Sequence, residues 1–151
     1  MIARICASYE ADRELARELM QDVLFAIWRA LPAYRGDASL KTFVARIAQF
    51  RAISHVAHQA GRPGTTELQE SLLSEECAPD LHVIEADRRT RLLSAVRRLP
   101  LAYRQVVTLT LEDFTPNEIA AMLGVSPNVI SIRLTRARSA LRSMLVGADH
   151  D

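Results

Sequence analysis

The stretch TPNEIAAMLGVSPNVISIRLTRAR, residues 115–138, predicts two helices joined by a tight turn. Thr115 is followed by proline and, two residues after that, by glutamate, which together make a capping box with proline at the first helical position. Gly124 suits the turn because glycine adopts a positive φ at little cost. Ser126 and the proline after it repeat the cap-and-proline start. Two such starts around one glycine indicate a helix-turn-helix.

The second of these helices has an apolar face and a basic, acid-free face. Its apolar residues recur at alternating steps of four and three, at Ile130, Leu134, Ala137, Leu141 and Met144. At about 100° per residue, the opposite face carries Asn128, Ser131, Ile132, Thr135, Ser139 and Arg142, with Arg136 and Arg138 on its flanks. An ordinary amphipathic helix with a solvated basic side is the alternative. The capped first helix and the glycine turn favour DNA binding, with the second helix in the major groove.

The geometry of a helix in a major groove assigns roles to these side chains. Its N-terminal part reaches base edges, so the candidate base contacts are Asn128, Ser131, Ile132 and Thr135. The methyl groups of Ile132 suit a thymine methyl. The candidate phosphate contacts, which position the protein without reading sequence, are Arg136, Arg138 and Arg142.

Composition and charge limit the number of domains and the kinds of function that the chain can have. The 151 residues suffice for one domain or two small ones, and 49% of them are hydrophobic. No apolar run has the length of a membrane span and no signal peptide is visible, so we expect a cytoplasmic protein without membrane insertion. The net charge is +1, with −4 in residues 58–81 between two mildly basic ends. Because the electrostatic field of such a chain is weak, we expect a larger partner to supply much of the affinity for DNA.

The helical patterns predict an all-α chain of two small domains on a flexible acidic linker. Residues 1–58 read as one helical domain, with one long helix that Pro32 stops and a second from about Leu40 to His58. Residues 59–81 are turn-rich and acidic and form the predicted linker, with some local helix around residues 68–73. Residues 82–147 hold the helix-turn-helix. Trp28 is expected in the core of the first domain.

No pattern of catalytic or metal-binding residues is present. Cys6 and Cys77 are too few and too far apart for a disulfide framework, and we expect them to be idle thiols in a reducing cytoplasm. The histidines near Cys77 (His55, His58 and His82) follow no ligand spacing that predicts a metal site. Neither a phosphate-binding glycine loop nor a nucleophile elbow occurs. We therefore predict a protein that is not an enzyme and needs no cofactor or metal.

Several motifs in this order resemble one family. They are DVLFAIWRALPAYRGDA at residues 22–38, TFVARIA at 42–48, the acidic linker, LPLAYRQVV at 99–107 and the helix-turn-helix. Over nearly its whole length the chain resembles bacterial sigma-70-type sigma factors of the extracytoplasmic-function (ECF) group. The resemblance implies a sigma-2 and a sigma-4 domain that join core RNA polymerase and direct it to promoter DNA. It also implies an anti-sigma factor as a regulatory partner.

The resemblance further assigns surfaces to the two domains. The first long helix implies docking on the clamp helices of the polymerase β′ subunit through Gln21, Asp22, Phe25 and Arg29. The helix over residues 40–58 implies capture of the melted −10 element, with candidate contacts Lys41, Arg46, Phe50, Arg51 and His55. The helix from Pro127 onward implies reading of the −35 element, and its domain implies packing on the β-flap. A basic surface with stacking groups is what melted bases require.

The sequence departs from the family pattern in two places. Members often carry asparagine where Phe50 stands, aspartate where Ser54 stands, and one or two arginines at the positions of Ala57 and His58. This thins the polar character of the −10 surface. Residues 1–9 resemble the end of the family's first helix, so we expect an incomplete helix that leaves the core around Leu15, Leu19 and Ile27 exposed.

Two other functions stay open at this point. One is a transcription regulator that binds DNA as a dimer without polymerase, which palindromic half-sites would distinguish. The other is an inactive sigma-like interaction module, for which the thinned −10 surface is the motive.

Overall fold

The structure is a computed structural model that describes residues 1–61 and 81–148, with no side-chain description for Leu81, His82 and Ala148. Its described helices are α1 (Ile2–Ala7), α2 (Arg13–Ala30), α3 (Leu40–Ala60), α4 (Leu81–Arg98), α5 (Leu101–Leu111), α6 (Pro116–Leu123) and α7 (Pro127–Ala148). Within these ranges there is no strand, so the all-α prediction is confirmed. Most of the predicted linker and its local helix lie outside the described residues.

The first half, residues 1–61, is a three-helix unit. Asp12 caps α2 by accepting hydrogen bonds from two backbone amides, and Ser39 caps α3 by accepting one from the amide of Thr42. A 3₁₀ turn over Leu31–Ala33 ends α2 at the predicted proline. The face of α3 toward α1 and α2 carries the fully buried Ala45, Ala48 and Ala52. Alanines there let the helix axes approach closely.

The short helix α1 covers the start of α2 better than the sequence indicated. Ile5 and Cys6 on α1 are buried, and α1 contacts both α2 and α3. Leu19 is consequently only 3% exposed, and Leu15 and Ile27 are half-buried. The prediction of an exposed core at Leu19 was therefore wrong, because one and a half turns of helix suffice to cover it.

The second half, residues 81–148, packs α4, α5 and α6 around α7. The predicted capping box is present: Thr115 Oγ1 accepts from the amide of Glu118 at 3.2 Å, and the Glu118 carboxylate accepts from the amide of Thr115 at 3.1 Å. Gly124 ends α6 with a φ of 69° in the left-handed region. Ser126 Oγ accepts from the amide of Val129 at 3.4 Å at the start of α7. The helix-turn-helix is thus formed as predicted.

The two halves pack directly on each other, which the sequence did not indicate. One apolar cluster joins residues of the first half (Ile5, Leu19, Val23) with residues of the second (Leu109, Ile119 among them). A second cluster around Val96, Leu99, Val107 and Ala137 belongs to the second half alone. Polar side chains of α1 and α3 also reach the segment that follows α5. The structure therefore presents the surfaces of both halves in one packed arrangement.

Candidate nucleic-acid interface

The buried apolar stripe of α7 determines which residues of this helix are exposed. Ile130 and Ala137 are fully buried and Leu134 is 6% exposed, which fixes the rotation of the helix. The opposite face exposes Asn128, Ser131, Ile132, Thr135, Arg136, Arg138 and Arg142. The phase predicted from the sequence is therefore confirmed, while the contacts of these residues with DNA stay predictions.

Two hydroxyl groups on this face are already engaged as donors. Ser131 Oγ donates to the carbonyl of Pro127 at 3.2 Å, and Thr135 Oγ1 donates to the carbonyl of Ser131 at 2.9 Å. Each oxygen keeps its acceptor lone pairs free. In a major groove these side chains suit the exocyclic amino groups of adenine or cytosine better than acceptor atoms.

The charges on this face are all positive. Residues 127–148 contain four arginines and no acidic residue, and three of the arginines are exposed while Arg133 is half-buried beside the stripe. The N-terminus of α7 adds the positive end of a helix dipole. A surface of this kind attracts phosphate along its whole length.

The predicted −10 surface on α3 is partly free and partly occupied. Arg46 and Phe50 lie one turn apart and are exposed, with Phe50 67% exposed. Arg51 lies 3.8 Å from the Asp22 carboxylate in a half-exposed ion pair. His55 Nε2 lies 2.7 Å from the carboxylate of Glu10, and the side chain of this histidine is only 14% exposed.

Lys41, the remaining −10 candidate, is also engaged. Its ammonium group donates to the carbonyl of Glu112 at 2.6 Å and lies 4.6 Å from the centroid of the Phe114 ring. The structure therefore groups Arg46 and Phe50 on one open face and holds the other three candidates in contacts of their own.

A shallow pocket adjoins this open face. The loop before α3 and the first turns of α3 enclose about 190 Å³ between Tyr34, Phe43 and Arg46. The rings of Tyr34 and Phe43 lie 4.8 Å apart, and the Tyr34 hydroxyl donates to the carbonyl of Ala38 at 2.6 Å, which holds the loop in place. Sequence reasoning did not find this pocket, because it forms only where the loop folds back on the helix.

The outer face of α2 carries an exposed aromatic patch. The four predicted docking residues, Gln21, Asp22, Phe25 and Arg29, are all exposed. Phe25 and Trp28 are 56% and 69% exposed with ring centroids 6.2 Å apart, and the Arg29 guanidinium lies 5.7 Å from the Phe25 centroid. The prediction of a buried Trp28 was wrong. The buried face of α2 is set by Leu19, Val23 and Ala26, which leaves Trp28 on the outside.

Family comparisons match both halves. Residues 1–62 match Sigma-70 region 2, and residues 89–141 match Sigma-70 region 4, so that about three quarters of the chain is covered. The chain belongs to the sigma-70 family. The order of the two regions is the order predicted from the motifs, and the predicted membership of the ECF group of sigma factors is confirmed.

Two similar proteins are named as sigma factors. The RNA polymerase sigma factor CnrH of Cupriavidus metallidurans is 26% identical over 95% of this chain and 80% of its own length. The ECF RNA polymerase sigma-E factor of Escherichia coli K12 is 25% identical over 82% of this chain and 70% of its own length.

Two solved structures share the fold. CnrH in complex with the cytosolic domain of CnrY is similar at a TM-score of 0.67, with 21% identity over 97% of this chain and 80% of that one. The sigma factor RpoE in complex with the anti-sigma factor NepR from Bartonella quintana is similar at a TM-score of 0.72, with 20% identity over 95% of this chain and 89% of that one. As an ECF sigma factor, the chain acts with RNA polymerase in promoter recognition and transcription initiation.

Residues 1–61 and 81–148 lack two features. None of their helices is both long enough and apolar enough to cross a membrane. The same ranges contain no group of three or more histidine, cysteine, aspartate or glutamate side chains arranged to hold a metal ion. Cys77 and the His82 side chain lie outside what the structure describes.

Proposed function

We propose that the two halves divide promoter recognition between them, with residues 1–58 as the sigma-2 domain, 59–81 as the linker and 82–147 as the sigma-4 domain. The exposed face of α7 reads the −35 element, and α3 captures the melted −10 element. Helix α2 docks on the β′ clamp helices of core RNA polymerase, and the sigma-4 domain packs on the β-flap. The protein works by binding in the cytoplasm and has no catalytic activity of its own.

The acid-free exposed face of α7 is the observation that carries this proposal. Its polar residues lie opposite a stripe in which Ile130 and Ala137 are fully buried, so folding cannot turn them elsewhere. The exposed arginines Arg136, Arg138 and Arg142 suit phosphates, and the exposed Asn128, Ser131, Ile132 and Thr135 suit base edges.

The −10 role rests on Arg46, Phe50 and the neighbouring pocket. Single-stranded bases bind by stacking on aromatic rings within a positively charged groove. Phe50 offers such a ring in the open, and Arg46 lies both on this face and at the pocket wall. When one melted base stacks on Phe50, the next base along the strand can reach the neighbouring pocket. Lys41, Arg51 and His55 join this surface when their present contacts are released.

The docking role rests on the aromatic patch of α2. An exposed pair of aromatic rings beside an arginine has the composition of an interface centre rather than of ordinary surface. The patch lies on the outer face of α2, so polymerase can bind there without disturbing the core.

We also propose an anti-sigma factor as regulator. Both solved relatives are complexes with another protein, and the partner of the Bartonella sigma factor is named as an anti-sigma factor. A regulator that covers the α2 patch would block polymerase binding, because the regulator and polymerase would compete for the same surface.

Run-off transcription with purified core RNA polymerase and a library of genomic promoter fragments tests the function. We expect specific transcripts that require this protein. The double reversal Arg136→Glu and Arg142→Glu removes them, while the same change at Arg88 and Arg89, which are exposed on α4, leaves them largely intact. Polymerase binding without transcripts would favour the inactive module, and polymerase-independent binding to palindromic DNA would favour the dimeric regulator.

A further inference from the structure

Ile132 is an apolar side chain on the polar, outward side of α7. It is 42% exposed and belongs to neither of the two apolar clusters. Its neighbours one turn away along the helix, Asn128 and Arg136, are both exposed and polar. A single exposed isoleucine is ordinary on a protein surface. This one lies in the middle of the face that is proposed to enter the major groove, where it would meet base edges.

Ile132 also lies in the part of α7 from which base edges are reached. It is the sixth residue of the helix, which begins at Pro127. In helix-turn-helix proteins the N-terminal residues of the second helix contact the bases. The buried Ile130 and Leu134 on either side of Ile132 fix the rotation of this segment. Ile132 therefore cannot turn inward without displacing the core.

The hydroxyl groups beside Ile132 are restricted to accepting hydrogen bonds. Ser131 Oγ donates its hydrogen to the carbonyl of Pro127, and Thr135 Oγ1 donates to the carbonyl of Ser131. A hydroxyl has one hydrogen, so each oxygen then offers lone pairs alone. Residues 127–148 contain no acidic side chain that could accept in their place. The donors that suit these hydroxyls in a major groove are the exocyclic amino groups of the bases.

Few kinds of base pair present a methyl group and an amino group together in the major groove. Thymine carries a C5-methyl group, and the adenine paired with it carries the N6 amino group. A cytosine methylated at C5 carries the same methyl group beside its own N4 amino group. An unmodified cytosine paired with guanine offers the amino group without the methyl group. An apolar side chain next to acceptor hydroxyls therefore matches a base pair that contains a 5-methylpyrimidine.

We propose that Ile132 is a specificity-determining residue of α7. It packs on the C5-methyl group of a pyrimidine, while Ser131 or Thr135 accepts from the amino group of the same base pair. The inference rests on the proposed function for the placement of α7 in a major groove. It deepens that function by naming what the helix selects: thymine paired with adenine, or 5-methylcytosine paired with guanine.

Selection from a library of random DNA duplexes with the full-length protein supplies the probe. Low salt suits this experiment, because the net charge of the chain is only +1. We expect the enriched duplexes to share a thymine. Replacement of that thymine by deoxyuridine removes the methyl group alone, and it should weaken binding roughly three- to fivefold, the effect of one buried methyl group. Fluorescence anisotropy with the labelled duplexes measures the ratio.

A second pair of duplexes separates the two sources of the methyl group. At the same position, 5-methylcytosine opposite guanine should bind roughly three- to fivefold more tightly than unmodified cytosine opposite guanine. A preference for thymine over deoxyuridine without this second difference would assign the selectivity to the thymine–adenine pair as a whole.

Variants of Ile132 assign the discrimination to this side chain. Ile132→Ala should bind the thymine and deoxyuridine duplexes alike, and Ile132→Val should keep most of the difference, because it retains branched methyl groups. Val146→Ala is the matched control: Val146 is an exposed β-branched residue further along the same helix, and its loss should leave the thymine preference unchanged. Circular dichroism checks that the variants fold, and the wild-type comparison of the two duplexes needs no variant.

Three results would overturn the inference: a wild-type protein that binds the thymine and deoxyuridine duplexes equally, an Ile132→Ala protein that keeps the thymine preference, or a selection that enriches no sequence. With any of them, specific run-off transcripts would leave the proposed function standing. Thymine discrimination that disappears in Ile132→Ala, combined with an absence of transcripts, supports the inference, and it is the polymerase-dependent function that then fails.

Discussion

Phe50 is a single aromatic residue that lies outside the core. Helix α3 buries alanines toward α1 and α2 and turns Phe50 to solvent at 67% exposure, one turn from Arg46. A single exposed apolar residue needs no explanation in itself. An exposed ring beside an exposed cation and a pocket has the makeup of a site that binds unstacked bases.

Replacement of Phe50 tests the hypothesis that an unstacked base binds on its ring. Phe50→Ala should weaken binding to melted −10 DNA by about 1–3 kcal/mol, the usual contribution of one stacked base. Phe50→Tyr should keep most of the affinity, because it retains the ring. Thermal unfolding of both variants should match the wild type, since the side chain buries little. An unchanged affinity of Phe50→Ala for single-stranded promoter DNA would rule out stacking.

Arg138 tests the phosphate role on α7. Arg138→Ala should weaken binding to every duplex sequence alike and reduce the slope of log K against log salt by about 0.9, the effect of one lost phosphate contact. Filter binding at several salt concentrations measures that slope. Arg88→Ala, which removes an exposed arginine from α4, serves as the control and should leave the slope unchanged.

At the scale of the element, the helix-turn-helix depends on local caps. Thr115, Glu118 and Gly124 each act within a few residues of their own position, which is why the sequence predicted them correctly. The buried faces of α6 and α7 follow from helical period alone. By contrast, the pocket beside α3 and the outward position of Trp28 depend on the tertiary contacts of the loop before α3 and of helix α2.

Gly124 and Gly147 form a matched pair for testing the turn. Gly124 has a φ of 69°, and a Cβ there would meet nothing within 4 Å, so Gly124→Ala pays only the backbone strain of about 1–2 kcal/mol. Gly147 lies in α7 and also has open space, so Gly147→Ala should be neutral or stabilise by up to about 1 kcal/mol. Urea unfolding of both variants measures the difference. Equal stabilities would contradict the role of the left-handed turn.

At the scale of the whole molecule, titratable groups in the shared core make the stability of the fold depend on pH. Burial raises the pKa of the Cys6 thiol to about 11, and burial also raises the pKa of Tyr9 above its usual value. In the unfolded chain both groups lose their protons at lower pH, because their ordinary pKa values are 9.0 for the thiol and 10.0 for the phenol. Each therefore contributes its full stability below its unfolded pKa, and that stability is lost as pH rises toward the folded value.

We expect the free energy of unfolding to fall between about pH 9 and pH 11 as a result. Cys6→Ala removes the thiol from this balance, so its stability should fall less steeply than that of the wild type over the same interval. Urea unfolding at pH 7.5, 9, 10 and 10.5 measures both slopes. Parallel slopes for the two proteins would show that Cys6 does not titrate in this way.

From the amino-acid sequence we predicted the two long helices of the first half, the helix-turn-helix with its caps, the rotation of α7 and the family. These depend on contacts between residues close along the chain, where spacing and cap chemistry are enough. The contact of Arg4 with Glu112, 108 residues away, and the position of Lys41 over the Phe114 ring come instead from the packing of the folded chain. Such pairs are set by how two helical surfaces fit together, and no periodicity in either segment encodes the other.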